Sequence, residues 1–571
     1  MKKLLIVGAL LVAAGVGYYV LKPGMPGSGA LSSMSTVGPL DYVPADTAFV
    51  FANVEPMPKA VTKVWMEQFA QISGIYAMQA KMVEQKLAKE DPQGKAVKWA
   101  RALAAEAKDR TPEQIMAEFG VDMQVRYAIY EVAARPVMRL ELTDPAKARA
   151  FIARVEQKAG EKMPTAKVDA LEYWNFTEAE DKGRVVAALD GKQLVLAFLS
   201  SNDDDAALRN AFGLNRPKQS LAASGKLVQL NKEFGYTPYA SGYVDTRKLI
   251  ALVDDAEPAA DAPAAAELKA TCAKDYDAIA KAMPRAVFGY TQFEAKSIQA
   301  KMLLELRPDI AADLQLVPAP LPGADATAGS AVSFGFAMNL EALANFVNKQ
   351  AGAIIAAPYA CPALADLNDG ATKAKEQFSN PGLYMAASAF NAVHLIASKF
   401  VMPQPGVDGA PSEPEFAGKL LVGSKSPAGL IGMVSGFVPQ IAALNLQPNG
   451  ELKAIPADPS IPVKGPMHAL MSDTAIGVSV GEGEAATLKA AMTVDTGNKA
   501  LIAVGYGGAF FQSIFAQASA ELAKSTDPEA AELQKTMVAL QKVYAESIDH
   551  IDMQVRVADR GIEFVQDVRM K

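Results

Sequence analysis

Apolar and polar residues follow a recurring order along this chain, in which a short strand passes directly into a helix. The predicted strands combine small and aromatic residues and lie at residues 47–53, 239–245, 331–339 and 500–506. Asn53, Asp245 and Asn339 stand where three of these strands turn toward the next helix. Asn and Asp are favoured at such turns because their side chains accept hydrogen bonds from free backbone N–H groups. The pattern predicts four strand–helix units.

Helical periodicity follows the strands, and alternating segments close the units. Apolar residues recur at helical spacing from about Ala60 to Leu87, and again after Thr526, which has the form of a capping box with Glu529. Period-2 alternation predicts hairpins at residues 125–130 with 137–142, 288–293 with 298–306, and 551–557 with 562–564. Residues 384–401, in the third unit, match this pattern least well.

A different segment lies between the first and second units, and again between the third and fourth. It begins with a helix after Asp144-Pro145 or Ser426-Pro427, and it ends with a strand, an acidic turn and a helix. We therefore expect an α+β fold of antiparallel sheets with packed helices, duplicated internally into two similar halves. Chance similarity between generic α+β segments is the alternative interpretation.

The predicted halves cover residues 39–308 and 329–571, and a linker at residues 309–328 joins them. Four stretches rich in Ala, Pro, Gly or acidic residues have too few apolar side chains to repay the entropy lost on ordering. We expect surface loops or short disordered segments there, at residues 22–38, 254–266, 308–330 and 403–415.

The N-terminus carries a targeting signal. Lys2 and Lys3 precede an apolar run from Leu4 to Leu21, which as a helix would span about 27 Å. That length approaches the hydrocarbon thickness of a bilayer, and the lysines favour a cytoplasmic N-terminus. We predict a single-pass anchor in a bacterial inner membrane, with the rest of the chain in the periplasm. The alternative is a signal peptide cleaved near Ser28-Gly29-Ala30, which would leave a soluble periplasmic protein.

Composition narrows the possible functions. The chain has 571 residues, of which 50% are hydrophobic and 21% are charged, as in an ordinary globular protein. Its net charge of −7 argues against nucleic acid as a partner, and three histidines leave little material for metal or acid–base chemistry. Cys272 and Cys361 could form a disulfide in an oxidising compartment, or they could remain two separate buried thiols.

Residues 41–52 contain Val43-Pro44-Ala45-Asp46-Thr47 shortly after the apolar N-terminus. Here the chain resembles an uncharacterised bacterial envelope family whose members open with a Val/Ile-Pro-Ala-Asp-Thr segment behind an anchor or signal. The helix after Lys425-Ser426-Pro427 and the strand around residues 471–475 are similar to that family as well. The resemblance implies a Gram-negative envelope protein, and it supplies no reaction, ligand or catalytic residue.

Two short motifs suggest chemistry but lack the context that the chemistry needs. Residues 477–481 match G-x-S-x-G, yet a hydrolase needs the serine on the turn itself, whereas Ser479 is predicted inside a strand. Residues 481–486 match G-x-G-x-x-A, but Glu482 and Glu484 would oppose the pyrophosphate of a dinucleotide. We interpret both motifs as ordinary strand and turn residues.

Other candidate groups have simpler explanations. Residues 366–370 with Glu376 resemble a calcium loop that is one residue too short, so a helix is expected there instead. Asp203 to Asp205 read as solvated charges at a helix start. His394 and His468 are isolated, and the methionines clustered between Met57 and Met123 are interpreted as core residues.

No combination of nucleophile, base and orienting group emerges from the sequence. We therefore predict a non-enzymatic protein without cofactor or metal, bound to the inner membrane through residues 4–21. Its expected partner is another envelope protein or peptide, which it would serve as a scaffold or chaperone-like factor. The alternative is a periplasmic carrier of a lipid or other apolar ligand, and a hydrolase is a third possibility. A continuous apolar cavity would favour the carrier, whereas an exposed apolar groove would favour the protein binder.

Overall fold

A computed structural model describes most of the chain after the N-terminal segment. The described residues are 37–70, 84–85, 87–88, 91–92, 94–107, 110–176, 183–256, 263–380, 382, 390–401, 415–436, 439–448, 450–456, 465–492, 500–526 and 528–571. The predicted anchor at residues 4–21 lies outside them, as do nearly all of the linker at 22–38 and residues 403–414. Among the helices that are described, none has the length and apolarity to cross a bilayer.

The part of the chain up to residue 256 contains eight strands and eight helices among its described residues. The strands are β1 (Phe49–Ala52), β2 (Tyr127–Val132), β3 (Arg135–Glu141), β4 (Thr165–Val168), β5 (Leu171–Asn175), β6 (Gly183–Asp190), β7 (Gln193–Ser200) and β8 (Ser241–Asp245). The helices are α1 (Lys59–Ala70), α2 (Lys95–Ala107), α3 (Pro112–Phe119), α4 (Pro145–Ala159), α5 (Asp205–Phe212), α6 (Leu221–Ser224), α7 (Lys226–Phe234) and α8 (Thr246–Ala256).

The described residues that follow supply the remaining elements. The helices are α9 (Pro263–Ala282), α10 (Pro308–Leu314), α11 (Leu340–Ala356), α12 (Ala365–Phe378), α13 (Pro427–Ser435), α14 (Pro439–Ala443), α15 (Glu484–Ala491), α16 (Gly508–Leu522) and α17 (Pro528–Ser547). The strands are β9 (Arg285–Phe293), β10 (Ser297–Glu305), β11 (Val332–Ala337), β12 (Ala392–Val401), β13 (Glu415–Gly423), β14 (Lys453–Ile455), β15 (Met467–Met471), β16 (Ala475–Val480), β17 (Ala500–Gly507), β18 (Ile548–Ala558) and β19 (Gly561–Met570).

These elements form two compact units. The first unit comprises the described residues up to 257 together with 287–300 and 522–543. The second unit comprises the described residues of 258–286, 301–521 and 544–571. Each unit contains an antiparallel sheet with helices packed on it, so the predicted α+β class with antiparallel sheets is confirmed.

The sheet of the first unit has the strand order β4–β5–β6–β7–β3–β2–β1–β8. Helices α2, α3 and α4 cover one of its faces. Phe151 of α4 is 1% exposed and packs edge-on against Phe119 of α3, with ring centroids 5.4 Å apart. Strand residues such as Met138 and Leu196 are buried in the same core. Because helices cover the apolar side chains of this face, the first unit has a continuous hydrophobic core.

The sheet of the second unit has the strand order β14–β15–β16–β13–β12–β11–β17–β18–β19. Helix α15 lies on one face, where Leu488 packs with Ile396 and Leu421. Ile431 of α13 packs on the other face beside β15 and β16, next to Ile476. Side chains alternate between the two faces along each strand, so the strand registers define which residues share a face.

Most local predictions agree with the structure. The four strands, the hairpins β2–β3 and β18–β19, and the helices after Asp144 and Ser426 are confirmed. Asn339 caps α11, since its Oδ1 accepts a hydrogen bond from the N–H of Ala342. Asn53 plays a different part, because its side chain accepts from the N–H of Tyr127 and donates to the carbonyl of Val125. Asn53 therefore joins β1 to the start of β2.

The surface loop expected at residues 308–330 is wrong for much of that stretch. It begins in α10, and the side chains of Val317 and Leu321 are each 1% exposed. The apolar residues between the prolines pack into the second unit. The free energy gained by their burial offsets the conformational entropy lost when the segment becomes ordered. The stretch expected as a linker at 254–266 likewise includes the end of α8 and the start of α9.

Candidate functional site

An open apolar surface covers one face of the second unit's sheet. We call it the open apolar face, and its side chains alternate with those of the opposite face in five neighbouring strands. On the same face the registers also place the buried Ala397, opposite Val332, and the polar Gln566, opposite Met553. The apolar side chains that form the open apolar face are Val332, Phe334, Phe336, Val393, Leu395, Ile502, Val504, Tyr506, Ile551, Met553, Val555, Phe564 and Val568. None of these side chains is buried, and Phe334 of β11 is 51% exposed.

Aromatic side chains extend the open apolar face beyond β17. Tyr506 lies 5.1 Å from Phe510 of α16, measured between ring centroids. Phe511 and Phe515 in turn lie 4.7 Å and 5.2 Å from Tyr544, at the end of α17. These rings are half-buried. The surface therefore continues from the sheet onto the helices without an intervening charge.

The opposite face of the same sheet is polar. One register row crosses eight strands, and it reads His468, Ser479, Lys419, Ile396, Ser333, Gly505, Asp552 and Asp567. His394 and His550 lie on this face too, in the adjacent rows on either side. All three histidines of the chain therefore share one face, which we call the polar face.

His394 is a buried histidine with one unused ring nitrogen. Its Nδ1 lies 2.8 Å from the carbonyl oxygen of Pro322, and because that oxygen can only accept, Nδ1 carries the proton. Nε2 has no hydrogen-bond partner among the described residues. Burial lowers the pKa of His394, and the bond to Pro322 opposes this only in part. The predicted isolated core histidine is thus buried as expected, but it is not fully hydrogen-bonded.

A cavity of about 10 Å³ adjoins His394 and is also lined by Ser333, Asp552 and Gln554. That volume accommodates about one water molecule. A side chain at Gly505 would fill the neighbouring space, since its Cβ would lie 2.5 Å from Ser333 Oγ and 2.8 Å from His550 Nε2. Because Gly505 has no side chain, the polar groups of Ser333 on β11, His394 on β12 and His550 on β18 can lie close together.

Asp552 is the anion of this polar cluster. Its Oδ1 lies 3.2 Å from His550 Nε2, outside hydrogen-bond geometry, and its Oδ2 pairs with Arg569. Burial raises the pKa of Asp552, but His550 and Arg569 outweigh that effect and hold the pKa below its usual value. Ser333 and His550 are almost fully buried, so the cluster has no surface from which a substrate could reach the serine.

A second buried pair on the polar face was not found from the sequence. Lys419 Nζ bonds to Glu484 of α15, and both side chains are about nine-tenths buried. Glu484 also accepts a hydrogen bond from Ser398. The only sequence signal was a lysine at a core position of an otherwise apolar strand, because the partner lies 65 residues away.

Ser479 lies inside β16, as predicted, and the turn follows it at Gly481. Its side chain is 1% exposed, and its Oγ has no hydrogen-bond partner among the described residues. The register places it between Lys419 and His468, with α15 and Glu484 on the same face. Ser479 is therefore enclosed, in a setting that excludes solvent.

The acidic motifs are parts of helices and turns. Residues 366–376 lie within α12, where Asn368 bonds to the backbone of Tyr359 through both its Oδ1 and its Nδ2. Asp203 binds Arg135, and this bond holds the pKa of Asp203 below its usual value, while Asp204 caps α5. Within the described ranges, no group of three or more His, Cys, Asp or Glu residues could hold a metal ion.

The two cysteines form a disulfide in the second unit. Cys272 lies in α9 and Cys361 precedes the turn into α12, and their Cα atoms are 4.6 Å apart. The backbone N–H of Cys361 also donates to Asp275 Oδ2, at 2.7 Å. The bond therefore fixes the segment between α11 and α12 to helix α9.

These arrangements give the two faces of one sheet different chemistry. The polar face is largely buried where α15 covers it, and its charged groups pair with one another. The open apolar face presents side chains that can bind only through burial of apolar surface. No protein-family model, no curated protein and no solved structure matches this chain.

Proposed function

We propose that this chain is a non-enzymatic, membrane-anchored periplasmic protein that binds another envelope protein through the open apolar face. Soluble proteins rarely expose contiguous apolar patches of this kind unless the patch is a binding surface. The single observation that supports the proposal is that Phe334, Ile502, Met553 and Phe564 are each more than one-third exposed on neighbouring strands.

The chemistry of the face favours an amphipathic helix as the occupant. A sheet face offers no backbone hydrogen bonds, so an extended peptide laid across it would leave its own N–H and C=O groups unsatisfied. A helix satisfies those groups internally and buries one apolar stripe. Phenylalanine, tyrosine and methionine are also enriched at protein interfaces, whereas charged residues are depleted.

The open shape of the face argues for a protein more than for an enclosed ligand. Small apolar ligands are usually buried over most of their surface in a concave pocket. The open apolar face is a broad sheet surface, and its described side chains are half exposed. A lipid carrier is therefore the alternative that the experiment below must exclude.

The burial of Ser479, the serine of the G-x-S-x-G motif, supports a role without catalysis. Ser479 is enclosed beneath α15, and Ser333, the serine of the polar cluster, is also almost fully buried. We expect Ser479→Ala to change the free energy of unfolding by less than about 1 kcal/mol, because it removes an unpaired hydroxyl. A serine-directed fluorophosphonate probe should leave the folded protein unlabelled, and stoichiometric labelling at Ser479 would refute this part of the proposal.

The proposed location rests on the N-terminal sequence and on the cysteines. Residues 4–21 would anchor the chain in the inner membrane, or would be removed with a signal peptide. A disulfide between Cys272 and Cys361 suits an oxidising compartment such as the periplasm. The resemblance at Val43-Pro44-Ala45-Asp46-Thr47 to a bacterial envelope family agrees with this placement.

We also propose that the chain arose by internal duplication. In both sheets, two strands that are consecutive in sequence flank a run of three strands. The order is β7–β3–β2–β1–β8 in the first unit and β16–β13–β12–β11–β17 in the second. Each run is followed by a helix that begins after an acidic or glycine turn, α5 after β7 and α15 after β16. Such agreement over five strands supports duplication over a chance likeness of generic segments.

Photo-crosslinking in cells tests the binding proposal. The photoreactive residue p-benzoylphenylalanine is placed at Phe334 or Met553 on the open apolar face, and at Arg556, which is exposed on the polar side of β18, as the matched control. We expect discrete protein adducts from the first two positions and none from the third, with the crosslinked partner peptide mapping to an amphipathic helix. Adducts of lipid mass alone, or equal protein adducts at Arg556, would overturn the proposal.

A further inference from the structure

Two segments that are far apart in sequence meet at a cleft in the second unit. Ser424 and Lys425 follow β13, and residues 472–474 form the turn between β15 and β16. The backbone N–H of Ser424 donates to the carbonyl of Thr474 at 2.9 Å, which joins the two loops directly. Both loops line a cleft of about 640 Å³, a volume in the usual range for small-molecule sites.

The floor of the cleft is apolar. Leu470 of β15 and Met492, which ends α15, line it, and both are almost fully buried. Pro320 and Pro322 line it as well, from the segment that precedes β11. Such a floor offers a hydrocarbon group burial without any hydrogen bond to satisfy.

The hydroxyl groups of Ser424 and Ser472 form hydrogen bonds with the backbone of their own loops. Ser424 Oγ accepts a hydrogen bond from the N–H of Ser426, at 3.0 Å. Ser472 Oγ accepts from the N–H of Ala475, also at 3.0 Å, and donates to that residue's carbonyl. These bonds hold the loops in shape, so the cleft exists before any ligand arrives.

Charged groups at the cleft favour an anion. Its lining contains two lysines, Lys425 and Lys489, and one aspartate, Asp473. Lys425 forms an ion pair with Glu341, with a distance of 3.9 Å from Nζ to Oε2, and Lys489 has no ion-pair partner within the part of the chain that the structure describes. The ammonium group of Lys489 is therefore available at the edge of the apolar floor, and that of Lys425 is held only by a long ion pair between two exposed side chains.

We infer that this cleft binds a small amphiphilic anion, with its carboxylate or phosphate head near Lys425 and Lys489 and its hydrocarbon body against Leu470 and Met492. The inference is independent of the proposed function, since the cleft and the open apolar face consist of different residues. It assigns the protein a ligand site in addition to a partner surface.

Isothermal titration calorimetry on the full chain tests the inference with four probes. Octanoate and octyl phosphate carry an anionic head, octanol carries none, and octylamine carries a cation. We expect saturable binding of at least one anion, with octanol and octylamine at least tenfold weaker. Octanoate and octyl phosphate together distinguish the carboxylate from the phosphate source of the ligand. No saturable binding of either anion, or equal binding of octanol, would overturn the inference.

Variants then locate the site. Lys425→Glu with Lys489→Glu should weaken anion binding at least tenfold, whereas Lys373→Glu, an exposed lysine of α12, should leave it unchanged. Phe334→Asp on the open apolar face should also leave anion binding unchanged, which separates this site from the partner surface. If the double variant fails to fold by circular dichroism, Lys489→Gln alone should still weaken binding about threefold. An effect of Lys373→Glu or Phe334→Asp equal to that of the cleft variants would refute the assignment.

Discussion

The sheets of the two units differ in how far helices cover their apolar side chains. In the first unit, helices α2, α3 and α4 cover the face that carries Met138 and Leu196, and those residues are buried. In the second unit, the strands β11, β12, β17, β18 and β19 carry equally apolar side chains, but the described helices leave Phe334 half exposed. An uncovered face costs the stability that burial would provide. The proposal that another molecule covers this face accounts for its retention in a folded protein.

Each of the two units also buries a cation in its sheet, and different groups stabilise the two cations. Arg139 of β3 donates to Gln193 Oε1 and to the carbonyl of Phe212, and it stacks 3.5 Å from the ring centroid of Tyr42. Its nearest carboxylate, Asp190, is 3.6 Å away and partly exposed. Lys419 of β13 instead depends on the buried carboxylate of Glu484. Arginine can spread its charge over several neutral acceptors, whereas the compact ammonium of lysine favours a counter-ion.

The largest expected difference in the free energy of unfolding is between a substitution on the covered face and one on the open apolar face. Phe151→Ala should destabilise the first unit by about 3–5 kcal/mol, because it leaves a cavity in a closed core. Phe334→Ala should cost less than about 1 kcal/mol, since that ring already contacts solvent. Urea unfolding followed by circular dichroism measures both. A similar cost for the two variants would mean that the open apolar face is covered within the protein itself.

The next effect compares the two buried cations. Glu484→Gln should cost about 3 kcal/mol, since it leaves the ammonium of Lys419 buried without a counter-charge. Asp190→Asn should cost less than about 1 kcal/mol, because Arg139 keeps its neutral acceptors. The double change Lys419→Met with Glu484→Gln should recover part of the loss. Equal costs for the two single variants would show that both cations depend on a carboxylate.

Reduction of the disulfide should affect one unit only. Breaking the bond between Cys272 and Cys361, which closes a loop with a sequence separation of 89, should destabilise the second unit by about 2–4 kcal/mol. Cys272→Ser with Cys361→Ser should reproduce the effect of dithiothreitol, which should then have no further effect. Hydrogen exchange resolved along the sequence measures this, and loss of protection in the first unit of equal size would contradict it. Thiol labelling of denatured, unreduced protein should detect no free cysteine.

The smallest effect is a dependence on pH that only the second unit should show, because all three histidines lie there. Burial holds the pKa of His394 below its unfolded value, so the unfolded chain binds the proton first as the pH falls. Stability should therefore be complete above about pH 7 and decline by at most about 1.4 kcal/mol per pH unit as the pH falls through the unfolded pKa near 6.5.

The variant His394→Asn serves as the control for this pH effect. It should flatten the decline between about pH 7 and pH 5, with urea unfolding measured at each pH. Asp552, which lines the same cavity, stays ionised over this range because its pKa is lowered. A decline of unchanged slope in His394→Asn would refute the assignment of the pH effect to His394.

Sequence periodicity by itself determined the local elements of this protein. The alternation at residues 551–564 specified the hairpin β18–β19. Three residues at predicted helix starts, Ser426, Asp144 and Asp204, are N-caps in the structure. These features depend on residues within a few positions of one another, so a single stretch of chain contains the whole signal. The position of Ser479 inside a strand followed in the same way.

Only the tertiary structure decided which surfaces are open and which polar groups meet. Whether Phe334 is covered depends on where α11 to α17 pack, and the pairing of Lys419 with Glu484 depends on strand register across β13 and β16. The burial of Leu321 in a proline-rich segment, and the cleft shared by Lys425 and Lys489, have the same origin. Each requires residues that are tens to hundreds of positions apart to come together. No local pattern specifies such contacts, because their free energy arises from packing among distant segments.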